Sequence, residues 1–106
     1  MKFSDIYNEI VALAIEDGKP IELLLCKTTE ELGELAQSIN KVIGIKTMKI
    51  TDSNQTINEN ILEEVSDTIQ CLISIIGKMG FTADDLKKEL SKKNKKYKEI
   101  IISKQV

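Results

Sequence analysis

The chain has 106 residues, with 15 basic and 17 acidic side chains and a net charge of −2. It contains no histidine, and every basic residue is a lysine. These absences exclude a Ser-His-Asp or Cys-His nucleophilic system, any histidine-bearing metal site and an arginine finger. Acid–base or metal chemistry must therefore rest on carboxylates, with lysine as the only strong cation. A hydrophobic share of 42% and a charged share of 30% suit a folded domain, and the length fits a single one over residues 1–106. One proline and five glycines favour long helices over a many-turned β sandwich. Cys26 and Cys71 form no CxxC pair, the first acid comes as early as Asp5, and no apolar run reaches the roughly 18 residues of a membrane span. A cytoplasmic protein with no membrane partner is the expectation.

Hydrophobic periodicity predicts four helices. The first covers about Asp5 to Glu16, capped by Ser4, with Ile6, Ile10, Leu13 and Ala14 on one face. Asp17-Gly18-Lys19-Pro20 breaks it, and Pro20 suits the opening of the second, which runs to about Ile43 and ends at Gly44. A polar stretch from Lys46 to Gln55 reads as the one long loop. Thr56 followed three residues later by Glu59 matches a capping box for the third helix, which continues to about Lys78 with Gly80 as C-cap. Thr82 and Asp85 start the fourth, through Leu86, Leu90, Tyr97 and Ile101. Nothing alternates at period two. The fold class is all-α, a four-helix bundle-like domain.

Charge is uneven along this chain. From Lys87 to Val106 there are eight lysines against Glu89 and Glu99, a surplus of +6, while the first 86 residues carry −8. A basic last helix can bind nucleic acid, but lysines also complement a helix C-terminus and keep a surface wet, so nucleic acid is not an expected partner.

The acids are more informative. Helix two carries Glu30, Glu31 and Glu34; helix three carries Glu63, Glu64 and Asp67. Side chains three apart on a helix are neighbours, so Glu31 with Glu34, and Glu64 with Asp67, each form a pair able to grip a hard cation. Such spacing also occurs on ordinary solvated faces. Placement relative to the apolar stripe argues for more. Helix three's stripe is expected near Val65, Leu72 and Ile76, with Glu63, Ser66, Gln70 and Ser74 on the polar side. Glu64 and Asp67 instead lie in line with Cys71 and Ile75. Like charges at a half-buried edge are costly without a counter-charge, and a metal ion is the economical one here.

Glu30-Glu31-x-x-Glu34 followed by Glu64-x-x-Asp67 resembles the EExxE…ExxD signature of the MazG-like, all-α nucleoside triphosphate pyrophosphohydrolases, whose superfamily includes dimeric dUTPases and phosphoribosyl-ATP pyrophosphatases. The resemblance spans roughly residues 22–97. Lys93-Asn94-Lys95-Lys96-Tyr97 is similar to the KNxxRY stretch of small members, with Lys96 in place of the arginine. It implies that Glu31, Glu34, Glu64 and Asp67 coordinate Mg²⁺, with Mn²⁺ as a substitute. Glu30, Glu31 and Glu34 would be the catalytic carboxylates, Glu30 as ligand to an additional ion or as water-orienting base. Lys93, Asn94, Lys96 and Tyr97 would contact the nucleotide. The implied reaction cleaves an NTP or dNTP to a nucleoside monophosphate and pyrophosphate. Narrower dUTPase-like or phosphoribosyl-ATP-cleaving specificity is the alternative, as is a non-catalytic helical module acting through the lysine-rich helix.

Two expectations concern packing. Asn94 continues the Leu86–Leu90 line and is expected to be partly buried. Helix three has more apolar positions than one partner needs, so a homodimer or homotetramer is expected, with helices three or four at the seam.

Overall fold

A computed structural model describes residues 1–45 and 52–105, with side chains over 1–44 and 60–105. Its elements are α1 (Phe3–Asp17), α2 (Ile21–Ile45), α3 (Asp52–Lys78) and α4 (Ala83–Lys104), and no strand occurs among the described residues. The all-α expectation holds. Among these residues no helix is long and apolar enough to cross a membrane.

Helix boundaries follow local chemistry. α1 begins earlier than expected: Lys2, not Ser4, occupies the N-cap, and its backbone N–H donates to Asp5 Oδ2 at 3.1 Å. Asp5 thus satisfies a backbone donor just ahead of the helix. Gly18 ends α1 at φ 74°, a left-handed conformation that glycine adopts without strain, and its N–H donates to Ala14 O at 3.2 Å. The Pro20 carbonyl then accepts from Leu23 and Leu24 at 3.1 and 3.2 Å, which opens α2. Gly44 does not stop α2, which continues to Ile45. The expected loop from Lys46 to Gln55 is shorter at its far end, because α3 is helical from Asp52; residues 46–51 lie outside the described set. The capping box at Thr56 is overturned on the same ground, since Thr56 sits within α3. An Asp-Ser-Asn run suits a helix start as well as a threonine does.

The end of α3 and the start of α4 match expectation. Gly80 has φ 95°, and Phe81 N–H donates back to Ile76 O at 3.0 Å, the six-to-one bond of a Schellman ending. Thr82 caps α4 reciprocally. Its N–H donates to Asp85 Oδ2 at 2.8 Å, and its Oγ1 accepts from Asp85 N–H at 3.1 Å. The Thr82 backbone N–H, and after it the Thr82 hydroxyl, hold the Asp85 carboxyl below its ordinary range.

α2 and α3 pack along each other as the main interface, α1 lies on α3, and α4 touches α1. The core of the α1 side is Tyr7, Ile73 and Ala83, with Ile10, Val11, Ile76 and Leu86 against it. Tyr7 is 1% exposed, and its hydroxyl donates to Phe81 O at 2.7 Å. Gly77 lets α1 approach α3 closely: a Cβ there would fall within 2.9 Å of Val11 Cγ1 and nearer still to Cγ2. Lys78 Nζ donates to Lys19 O and ties the end of α3 to the α1–α2 turn.

The packed side of α3 is rotated from the expected stripe. Thr68, Cys71, Ile73 and Ser74 are buried, while Leu72 is 48% and Leu62 69% exposed. Leu72 was expected at the stripe's centre and Ser74 on its polar side; both are reversed. The reason is that α3 serves two neighbours, α2 and α1, and small hydroxyl side chains permit both approaches. Thr68 Oγ1 donates to Glu64 O at 2.9 Å and Ser74 Oγ to Gln70 O at 2.7 Å, so burial leaves neither hydroxyl without a partner. A third side, with Leu62, Ile69 and Leu72, stays exposed.

The chain is open for its size. Its Cα radius of gyration is 17.3 Å, against about 13 Å for a compact domain of this length. Its accessible surface is 8368 Å², against about 6,000 Å² for a folded monomer of this mass.

Candidate functional site

The site lies on the α2–α3 seam. α2 presents its packed line through Leu24, Thr28, Glu31 and Leu35, one residue per turn. Thr28 Oγ1 donates to Leu24 O at 2.8 Å, so this line packs closely without leaving the hydroxyl unsatisfied. The facing line of α3 runs through Glu64, Thr68, Cys71 and Ile75. Glu31 and Glu34 face Glu64, and Thr28 faces Cys71 one turn away, so the two helices run antiparallel.

Three carboxylates converge there. One oxygen from each of Glu31, Glu34 and Glu64 lies within 4.8 Å of the other two; Glu31 and Glu64 are half-buried and Glu34 is exposed. Oε2 of Glu31 and Oε2 of Glu64 are buried and have no hydrogen-bond partner. The nearby hydroxyls of Thr28 and Thr68 donate to backbone carbonyls, which removes the obvious donors. Burial pushes the Glu64 carboxyl above its ordinary value, and Glu34 and Glu31 add to the shift. Two species relieve such a cluster: a proton held between carboxylates, or a cation accepted by all three. A set made only of carboxylate oxygens suits a hard ion such as Mg²⁺ or Mn²⁺, and the orphaned oxygens are the atoms that such an ion would satisfy.

A cavity of about 380 Å³ opens beside the triad, between α1, α2 and α3. Glu31 and Asp67 border it on the triad side, with Lys27, Gln70 and Cys71 further along. Asp67 therefore stands next to the triad rather than within it. Burial raises the Cys71 thiol above its ordinary value, while the Lys27 ammonium opposes that shift.

The remaining expected site residues lie elsewhere. Glu30 is exposed and outside the triad. Lys93, Asn94, Lys96 and Tyr97 all sit on the exposed part of α4, with Tyr97 66% exposed, and border none of the described cavities. Partial burial of Asn94 is thus corrected. Only the start of α4, at Ala83 and Leu86, joins the core with Tyr7 and Ile73, and from Leu90 onward its described residues are exposed, so the Leu86–Leu90 line is already out of the core when it reaches Asn94.

Sequence reasoning missed Lys27 and Gln70 as cavity residues. Their spacing held a signal: Lys27 is one turn before Glu31 on the same face of α2, and Gln70 is three residues after Asp67 on α3. Comparison with protein-family models, curated proteins and solved structures finds no match to this chain.

Proposed function

We propose that this chain is a Mg²⁺-dependent nucleotide pyrophosphohydrolase, cleaving an NTP or dNTP to a nucleoside monophosphate and pyrophosphate. The observation that carries the reading is the Glu31–Glu34–Glu64 triad with its two buried, unpartnered oxygens. Its position within an EExxE…ExxD pattern on an antiparallel helix pair supports the same conclusion, as does the resemblance of that pattern to the MazG-like enzymes.

Each residue then has a defined task. Glu31, Glu34 and Glu64 would hold the ion, with Asp67 as a further carboxylate at the cavity edge. The bound ion supplies charge neutralisation for phosphate oxygens and a lowered pKa for water. A carboxylate outside the ligand set is needed to take the proton of the attacking water, and Glu30 is exposed and adjacent in sequence to Glu31. No step requires histidine or arginine.

The protein is also proposed to act as a homo-oligomer. Leu25, Leu32, Ile39 and Ile43 on α2, and Leu62, Ile69 and Leu72 on α3, are exposed large apolar side chains. A second copy is the simplest way to cover them, given the excess surface of the protomer.

Pyrophosphate release from a panel of NTPs and dNTPs with Mg²⁺ or Mn²⁺ tests the activity and separates general from dUTPase-like or phosphoribosyl-ATP-cleaving specificity when those substrates are included. Activity is expected, and Glu31→Gln, Glu34→Gln or Glu64→Gln should each lower it about 100-fold or more, the scale of losing one charge-stabilising group. Turnover that survives these changes sinks the site. One observation favours a second reading: the lysines of α4 are all exposed. A binding module would retain nucleic-acid affinity without the carboxylates and lose it steeply with salt.

A further inference from the structure

We propose that Lys27 takes a phosphate group of the substrate, and that the cavity between α1, α2 and α3 holds the remainder. This rests on the proposal that the triad draws a phosphorylated substrate.

Position is the first argument. Lys27 and Glu31 are one turn apart on α2 and border the same cavity, so an anion bridging from a cation at the triad meets the Lys27 ammonium next. Availability is the second. Among the described residues the ion pairs are Lys19–Asp17, Lys88–Asp84 and Lys92–Glu89. Lys19, the other cation of the cavity, is thus engaged at 3.2 Å, whereas Lys27 has no carboxylate partner despite standing beside an acidic cluster. An ammonium that is exposed and unpaired at a cavity rim is free to donate to phosphate oxygens. The third argument is exclusion: Lys93 and Lys96 border none of the described cavities of the protomer.

The cavity's lining defines what it takes. Its volume of about 380 Å³ falls within the usual range for a small organic ligand, about 300–1,000 Å³. The α1 wall is aliphatic at Ile10, Leu13 and Ala14 and carries one acid, Asp17, paired with Lys19, and no aromatic ring is among the described residues that border the space. Ser74 spends its proton on Gln70 O, which leaves the Gln70 side-chain amide as the uncharged donor on the α3 wall. The non-phosphate part of the ligand is therefore held by aliphatic contact and by polar groups such as Gln70 rather than by stacking. That arrangement discriminates weakly among bases.

Isothermal titration with inorganic pyrophosphate in Mg²⁺ tests the assignment without turnover. Lys27→Gln should weaken binding about tenfold or more, the scale of losing one charge-assisted hydrogen bond. Lys27→Arg should restore most of it, and the Lys93→Gln/Lys96→Gln double variant should bind as the native protein does. Mg²⁺ titrated alone should bind Lys27→Gln no more weakly than the native protein, and circular dichroism should be unchanged. KM for nucleotide should rise in Lys27→Gln in parallel. Native-like pyrophosphate affinity and KM in Lys27→Gln overturn this inference while native turnover leaves the hydrolase reading intact. A loss confined to the α4 double variant also overturns it. Failure of the native protein to release pyrophosphate from any nucleotide removes the hydrolase reading and this inference together.

Discussion

Glu31 and Glu64 confront one another across the α2–α3 seam with one carboxylate oxygen each buried and unpartnered. Two such groups on packed helices repel and lose solvation together, so the seam is held by the rest of the interface against them. The consequences are measurable with no substrate present.

The pH dependence has a definite sign. The Glu64 carboxyl is raised above its ordinary value of 4.5 by burial, then by Glu34 and Glu31. A raised folded-state pKa means that the native chain binds more protons than the unfolded one between the two values. The contribution of Glu64 is therefore most favourable below about 4.5 and is lost as pH rises through the folded pKa. In EDTA, the Tm of Glu64→Gln minus that of the native protein should grow as pH is raised from about 4.5 toward neutrality. Added Mg²⁺ should raise the native Tm at neutral pH and leave Glu64→Gln nearly unchanged. Equal responses in both proteins count against a cation at the triad.

Tyr7 anchors the other end of the molecule. It is 1% exposed, and its hydroxyl bonds to the Phe81 carbonyl in the turn that precedes α4. Tyr7→Phe keeps the ring and strands that carbonyl, at a cost of about 1–3 kcal/mol by urea denaturation. Tyr7→Ala should cost more, because it also empties the core beside Ile73 and Ala83.

Gly77 is a packing requirement rather than a conformational one. Alanine is the better helix former by about 1 kcal/mol, yet its Cβ would run into Val11 on α1. Gly77→Ala should destabilise the fold by about 1–3 kcal/mol through overpacking. Adding Val11→Ala should recover part of that loss, giving a positive coupling in a double-mutant cycle. Additive losses would mean that the two helices separate freely at this point.

The exposed apolar side of α3 tests assembly. Leu62→Lys or Leu72→Lys places a charge where the protomer has no core, so the isolated fold should tolerate either change within about 0.5 kcal/mol. Light scattering after size exclusion should show the native protein larger than a monomer and each variant shifted toward one. A native monomer at micromolar concentration removes the oligomer proposal.

Much of the fold was legible because its signals are local. Thr82 and Asp85 satisfy each other's backbone N–H groups within four residues, and Gly18 and Gly80 stop helices where a left-handed residue is needed. Neither depends on distant contacts. α1 and α3 start at Phe3 and Asp52, ahead of the expected positions, because several nearby polar residues can open a helix and local sequence does not choose among them.

The candidate site divides along the same line. By itself the sequence determined four helices, the two acidic pairs, and the alignment of Glu64 with Cys71 rather than with the polar side. Those follow from composition and a period of 3.6 residues. Tertiary structure alone decided that Glu31, Glu34 and Glu64 converge while Asp67 stands beside them, and that Ser74 is buried while Leu72 is not. It also set Lys27 at the cavity and Lys93, Asn94, Lys96 and Tyr97 away from it. Periodicity states that a helix has an apolar side. It carries no information on which of two apolar sides meets which neighbour, because that depends on interhelical geometry summed over residues far apart in the chain.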